Sequence, residues 1–196
     1  QAGLAVGLAL RHLGMHAVLF DRAPAGLEGP WVTTARMETL RSPKELTGPA
    51  LGLPALSFRA WFEAQFGAAA WAALDKIARP MWMDYLRWLR SVSGLDVRNG
   101  TELLAVTPRA DATVDLLLRD AAGTRPVRAR RVVLATGRDG LGGPAVPAFL
   151  QGLPRGLPGA AGDGGGLWAH SSDAGDFSGL AGRRVVEVDY DVYARG

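Results

Sequence analysis

A short helix rich in small residues, followed at once by an apolar strand that ends in an acid, restricts the fold most. Residues 3–13 alternate apolar and small side chains, and Gly3 and Gly7 share one face of the predicted helix. Two glycines on one face allow the helix to pack closely on a sheet. The run His16–Phe20 predicts a short strand, and Asp21 follows it. A helix that packs on a sheet and leads into an apolar strand indicates an α/β fold.

Two further helices are predicted between Asp21 and the next strands. Ser57 suits the N-cap of a helix over residues 58–66, which Gly67 ends or interrupts. Pro80 suits the first turn of the next helix, and Gly94 suits its end. Apolar side chains recur at helical spacing in this helix, at Trp82, Tyr85, Leu86, Leu89 and Val92. Together with Trp61, Trp71 and Trp88, the aromatic residues among them are expected to form core rather than a cofactor box.

Three strand-like segments follow, at about residues 95–107, 114–119 and 127–136. Their connections are too short for crossover helices, so we expect an antiparallel meander. Within the third segment, the continuous apolar run Val132–Ala135 predicts that the meander ends in a buried central strand.

Composition excludes several classes of site. The 196 residues suit one domain, or one domain and part of a second, with 48% hydrophobic and 21% charged residues. Cysteine is absent, which excludes disulfides, thiolate zinc sites, iron–sulfur clusters and cysteine nucleophiles. No apolar run approaches the ~18 residues of a membrane-spanning helix. The net charge is only +3 and most arginines are scattered, so no nucleic-acid surface is expected. The three histidines lack metal-ligand spacing, so no metal is expected.

The start of the chain matches the second half of a dinucleotide-binding fingerprint. In G-x-G-x-x-G the third glycine opens the helix, and Gly3 fits that position if the first two glycines precede Gln1. Asp21 stands 18 residues after Gly3, close to the roughly 20 residues expected for an acid that binds ribose hydroxyls. An ordinary buried helix and a loop-capping aspartate would produce the same half motif.

A second nucleotide-site signal stands at the end of the predicted central strand, at Ala135, Thr136 and Gly137. Small side chains there let the backbone turn beside a bound nucleotide, where a larger one would collide with it. A strand that ends in a glycine turn is common by itself. In the order helix, Asp21, insert, meander and Ala-Thr-Gly, however, the two signals predict a Rossmann-like α/β domain with a helical insert and an antiparallel β-meander.

With these features the chain resembles the FAD-dependent monooxygenases of the flavin-containing monooxygenase and Baeyer–Villiger group, in a bacterial flavoprotein branch. The similar stretches are residues 3–31, 37–49, 82–108, 130–147 and 170–186. The resemblance implies FAD as cofactor and NADPH as the reductant of the complete enzyme. It also implies molecular oxygen and a small organic molecule as substrates.

The resemblance implies roles for individual residues. Asp21 would bind the adenosine ribose, with Arg22 beside the adenine and Gly3 beneath the pyrophosphate. Trp31 would approach the flavin, and Leu103 would make backbone contacts to the adenine. The full implied cofactor set is Gly3, Asp21, Arg22, Trp31, Leu103, Ala135, Thr136 and Gly137.

The C-terminal part departs from the family pattern. His170, with Ser171, stands where the family's linker motif carries its histidine, but Gly164 and Ala174 replace the flanking aromatic residues. Where the family has a second glycine-rich fingerprint, residues 187–193 contain three acids and no glycine. Acidic side chains repel a pyrophosphate, so we expect the NADPH site to be absent or altered.

We expect an FAD-binding domain over residues 1–150 that lacks its first strand, a Gly/Pro-rich linker over 151–182, and the start of a truncated or altered NADP-binding domain over 183–196. Because the sequence begins with Gln rather than Met, we expect a piece of a longer protein that is inactive with NADPH by itself. No leader is visible, and a cytoplasmic location is expected. The open alternatives are an inactive nucleotide-fold domain and a nicotinamide-dependent dehydrogenase.

Overall fold

The computed structural model describes residues 1–46, 48–137, 144–156, 166–173 and 180–186. The chain divides into two compact units, Gln1–Gly143 and Pro144–Gly196. Within the described residues, no helix is both long and apolar enough to cross a membrane.

The first unit opens with the predicted helix and strand. Helix α1 spans Ala2–His12, and Gly14 follows it with a φ of +71°, a left-handed conformation that glycine adopts without strain. Strand β1 spans Val18–Phe20, two residues shorter at its start than predicted. It pairs in parallel with β2, Asp96–Arg98.

The closest approach between α1 and the sheet occurs at Gly7. A Cβ atom added there would lie 3.0 Å from Leu95 Cδ1 and 3.2 Å from both methyl carbons of Leu19. A Cβ atom added at Gly3 would lie 3.9 Å from Ala135 Cβ and 4.0 Å from Leu19 Cδ2, which are ordinary contacts. Gly7 therefore sets the distance between helix and strand, while Gly3 has room for a methyl group.

We expect Gly7→Val to destabilise the first unit by about 1–3 kcal/mol, because the added carbons overpack the contact of α1 with Leu19 and Leu95. Gly3→Ala is the matched control, since its methyl group meets no atom closer than 3.9 Å. Urea unfolding of both variants measures the difference. Equal stabilities would show that close packing at Gly7 is not required.

The helical insert follows the predicted signals. A 3₁₀ turn at Pro54–Leu56 precedes α2, Phe58–Ala73, and the Ser57 hydroxyl caps α2 by accepting from the Ala60 N–H at 3.1 Å. Of the two outcomes left open at Gly67, the structure shows an interruption: Gly67 has φ +83° and ψ 163°, and α2 continues beyond this kink, past the predicted end at residue 66, to Ala73. Helix α3 spans Arg79–Ser93 and ends at a left-handed Gly94, as expected.

The core of the first unit is aromatic and lies between α2 and α3. Phe58 contacts five rings, those of Trp61, Phe62, Trp71, Trp82 and Tyr85. The Tyr85 hydroxyl donates to the Leu56 carbonyl at 2.8 Å, and burial raises the pKa of Tyr85 to about 12. Of the apolar residues at helical spacing in α3, Val92 lies outside this core, since its side chain is 50% exposed near the end of the helix.

The meander is confirmed, but it begins later than predicted. Strands β3 (Glu102–Pro108), β4 (Val114–Asp120) and β5 (Gly123–Ala129) form an antiparallel sheet in that order. The predicted first segment, residues 95–107, is two strands, because β2 pairs with β1 in the parallel sheet instead. Leu116 and Leu118 are buried on one face of β4, while Leu117 points to the other and is 38% exposed.

The predicted buried central strand over Val132–Ala135 is wrong. These residues form no strand, and the side chains of Val133 and Leu134 are 58% and 65% exposed. A central strand exists only through hydrogen bonds to neighbours on both edges. Among the described residues the parallel sheet consists of β1 and β2 alone, so the apolar run has no ladder to join.

The second unit is described over short stretches. Arg155 and Trp168 form a parallel β-bridge, and the Gly156 N–H donates to the Trp168 carbonyl at 3.0 Å. A Cβ atom at Gly166 would lie 2.1 Å from the Gly156 nitrogen, so Gly166 is the residue that lets these two backbones meet.

Candidate cofactor site

Asp21 lies directly after β1, at the carboxyl end of the parallel sheet, where ligands of open α/β sheets bind. Its backbone N–H donates to the Arg98 carbonyl and its carbonyl accepts from the Thr101 N–H, both at 3.0 Å. Its side-chain Oδ1 accepts from the Ala23 N–H at 2.8 Å, which forms an Asx turn. Oδ2 has no hydrogen-bond partner among the described residues. The half-buried carboxylate thus keeps one oxygen for a ligand.

The N-terminus of α1 is the second part of the site. Gln1 makes no side-chain cap hydrogen bond to α1; its Oε1 instead accepts from Trp82 Nε1 at 3.3 Å. The first-turn N–H groups are therefore uncapped by any described side chain, and they carry the positive end of the helix dipole. This donor set fits the adenosine and pyrophosphate end of FAD.

Two further residues of the predicted cofactor set are Ala135, near the N-terminus of α1, and Leu103, which follows a residue that hydrogen-bonds to Asp21. Ala135 is close to α1, since its Cβ lies 3.9 Å from the position of a Cβ at Gly3. Leu103 is half-buried in β3, two residues after Thr101, whose N–H binds the Asp21 carbonyl. The register with β4 shifts between Leu103 and Ala105, which marks an irregularity in the ladder beside Leu103.

Gly137 has a φ of +64°, and a Cβ atom there would meet nothing within 4 Å. Thr136 and Gly137 are exposed, as is Arg22. Glycine is thus required at position 137 by the backbone and not by packing, and the turn that the sequence predicts at this point is present.

Trp31 is half-buried on the loop that follows Asp21. Its ring meets the edge of Trp82 at 6.3 Å between centroids, and its carbonyl accepts from Arg79 Nη1. Arg79 Nε also donates to the Met37 carbonyl at 3.0 Å. The first turn of α3 therefore holds the later part of the loop in place.

His170, the predicted linker residue, lies in the second unit, and its ring contacts Ser172 rather than Ser171. His170 Nδ1 accepts from the Ser172 N–H at 3.1 Å and lies 2.7 Å from the Ser172 hydroxyl. Because Nδ1 accepts, the neutral ring carries its proton on Nε2. Asp173 accepts from the His170 N–H at 2.9 Å and from Arg155 Nε at 3.0 Å, and the Arg155 hydrogen bond lowers the pKa of Asp173.

The sequence patterns missed a polar cluster behind the loop, formed by Glu28, Arg90 and Asn99. A signal was present: Arg90 stands four residues after buried Leu86 and directly after buried Leu89, where an arginine needs a partner. The replaced linker positions 164 and 174, the acidic segment 187–193 and the rest of the predicted NADP-binding domain from residue 187 onward lie outside the described residues. Residues 183–186 of that predicted domain are described and form neither helix nor strand.

The chain is similar to a FAD-dependent urate hydroxylase from Xanthomonas campestris pv. campestris. The two are 47% identical over 187 residues, which is 94% of this chain and 37% of the relative. The chain thus spans little more than a third of the length of this curated relative.

Solved structures share the fold. An ornithine N-hydroxylase from Kutzneria sp. 744 superposes with a TM-score of 0.56 at 20% identity, covering 66% of this chain and 33% of that one. A cadaverine monooxygenase from Erwinia amylovora, bound to FAD, superposes with a TM-score of 0.57 at 18% identity, covering 79% and 37%. The predicted fold class, a Rossmann-like α/β domain with helical insert and antiparallel meander, is confirmed.

The family model described as FAD-NAD(P)-binding matches residues 2–139, which include α1, Asp21, the helical insert, the meander and Gly137. The predicted resemblance to FAD-dependent enzymes, and FAD as the expected cofactor, are confirmed at the level of the family. With more than half of its residues matched, the chain belongs to the FAD-NAD(P)-binding family.

Proposed function

We propose that this chain is the FAD-binding part of a flavin-dependent, NADPH-using monooxygenase that hydroxylates a small organic molecule. The observation that carries the proposal is the Asp21 carboxylate, which has one oxygen fixed by the Ala23 N–H at 2.8 Å and the other without a described partner. It stands after a parallel strand, at the sheet edge where a ribose is bound in this fold.

In this proposal, Asp21 Oδ2 accepts hydrogen bonds from the adenosine ribose, and Arg22 lies beside the adenine. The uncapped first turn of α1, with Gly3, faces the pyrophosphate. Ala135, Thr136 and Gly137 flank the cofactor, Leu103 contributes backbone contacts, and Trp31 lies toward the flavin. His170 and Ser171 remain linker candidates, and the domain limits at residues 150 and 182 remain predictions.

When bound, FAD would supply the redox chemistry, in which two electrons from NADPH and one molecule of oxygen give a hydroxylated substrate and water. The residues of this chain bind and orient the cofactor. The 47% identity to a urate hydroxylase supports a purine-type substrate. We also propose a cytoplasmic location, which the absence of cysteine fits.

The substrate proposal is tested with the protein expressed from the complete open reading frame and supplied with FAD. We expect urate to stimulate NADPH oxidation, with oxygen consumed in equal amount and a hydroxylated product detected by mass spectrometry. A similar but uncharged purine serves as the comparison. NADPH oxidation that is unchanged by urate, without product, would contradict a purine-type substrate.

Gly137→Val is expected to lower the amount of FAD bound per chain while the chain remains folded. The variant forces a β-branched residue to φ +64° and places its side chain where the cofactor is proposed to lie. Gly52→Val is the matched control, since Gly52 has φ +74° and equally open surroundings outside the site. Flavin absorbance per chain and the melting temperature are measured for both. Normal occupancy in Gly137→Val would show that this turn does not approach FAD.

A further inference from the structure

A cluster of three polar side chains, Glu28, Arg90 and Asn99, lies behind the loop that carries Asp21. Arg90 Nη1 pairs with Glu28 Oε1, and Arg90 Nη2 donates to Asn99 Oδ1 at 2.7 Å and to the Val97 carbonyl at 3.2 Å. Asn99 Nδ2 donates to Glu28 Oε1 at 2.8 Å. The side chains of Arg90 and Glu28 are only 27% and 19% exposed, so the cluster is shielded from much of the solvent.

The cluster is linked to Asp21 through Ala23. Asn99 Nδ2 donates to the Ala23 carbonyl at 3.0 Å, and the Gly100 N–H donates to the same oxygen at 3.2 Å. The Ala23 N–H in turn donates to Asp21 Oδ1 at 2.8 Å. Ala23 is therefore held on one side by Asn99 and holds the Asp21 carboxylate on the other.

The charges explain why Asn99 has one orientation. Glu28 Oε1 attracts the amide nitrogen, while the Arg90 guanidinium attracts the amide oxygen. Glu28 Oε2 accepts from the Gly26 N–H at 2.8 Å, which ties the cluster to the loop a second time. Each side chain therefore fixes the direction of the next, and the donor aimed at Ala23 is set by Arg90 and Glu28.

We propose that Glu28, Arg90 and Asn99 are positioning residues that aim the Asp21 carboxylate and thereby set the affinity for the adenosine half of FAD. This rests on the proposed function, because it assumes that Asp21 binds the ribose. A purely structural cluster would contribute to folding stability alone. If the cluster positions Asp21, its loss weakens the binding of ligands that contain adenosine and leaves the affinity for ligands without adenosine unchanged.

The test uses the protein from the complete open reading frame and three ligands: FAD, ADP and FMN, of which FMN lacks the adenosine. In Asn99→Ala we expect the dissociation constants of FAD and ADP to rise by about tenfold, because a misdirected Asp21 carboxylate loses roughly the equivalent of one hydrogen bond to the ribose. The dissociation constant of FMN should change less than twofold. Asn99→Asp, which keeps the shape but places an acceptor against the Ala23 carbonyl, should act in the same way.

Arg87→Ala is the control, since Arg87 Nη2 also joins α3 to this loop, at the Gly26 carbonyl (2.7 Å), without reaching Ala23. Its ligand affinities should match the parent protein. The proposal is overturned if FAD and ADP affinities are unchanged in both Asn99 variants, if FMN weakens equally, if Arg87→Ala has the same effect, or if neither Asn99 variant folds. It is also overturned if the parent binds FAD but not ADP. A parent protein that binds no FAD would instead refute the proposed function itself.

Discussion

Asp21→Ala is expected to weaken FAD binding by about 1.5–3 kcal/mol, a rise in the dissociation constant of roughly 10- to 150-fold. The reason is the loss of a charge-assisted hydrogen bond from the ribose to the carboxylate oxygen that no described residue engages. The parent and variant proteins, expressed from the complete open reading frame, are titrated with FAD and followed by flavin fluorescence.

Asp21→Asn separates binding from folding. The amide oxygen still accepts from the Ala23 N–H, so the Asx turn and the melting temperature should be preserved, while the negative charge is lost. We expect this variant to bind FAD more weakly than the parent at unchanged melting temperature. Unaltered FAD affinity in both variants would remove Asp21 from the cofactor site.

Phe58→Ala is expected to lower the free energy of unfolding by about 3–5 kcal/mol, the usual cost of removing a buried aromatic ring. Phe58 is 3% exposed and contacts five other rings between α2 and α3. The change leaves a cavity at the centre of the aromatic core, and urea unfolding followed by tryptophan fluorescence measures it.

Phe66→Ala is the matched control in the same helix. Phe66 is 52% exposed and its ring contacts Phe62 at 4.8 Å between centroids. Its removal should cost less than about 1.5 kcal/mol, because little apolar surface leaves a buried position. If the two variants lose equal stability, the aromatic cluster is not the centre of the core.

The helices could be predicted because their signals are local. Ser57, Pro80 and Gly94 each act within one turn of the backbone. The break at Gly67 is likewise a local signal, although the sequence did not show whether the helix ends there or continues to Ala73. Strands depend on partners that are distant in sequence. The segment at 95–107 could not be divided in advance, because β2 is defined by its pairing with β1, more than 70 residues away.

The same distinction holds for the site. Asp21 was identifiable because its spacing from Gly3 is a property of one helix and one strand. The Glu28–Arg90–Asn99 cluster joins three separate elements, so no window of sequence contains it. The run at Val132–Ala135 shows the reverse case, because its apolar pattern predicts a buried central strand, whereas Val133 and Leu134 are exposed and the run pairs with no described strand.

Identification of the flavin that the protein retains from a mixture of FAD and FMN tests the central claim most directly. The protein from the complete open reading frame is purified, reconstituted with a mixture of FAD and FMN, freed of unbound flavin and heat-denatured, and the released flavin is separated by chromatography. Binding through the adenosine end predicts release of FAD, close to one molecule per chain, with little FMN. Release of FMN in equal amount, or of no flavin at all, would contradict an FAD site built on α1 and Asp21.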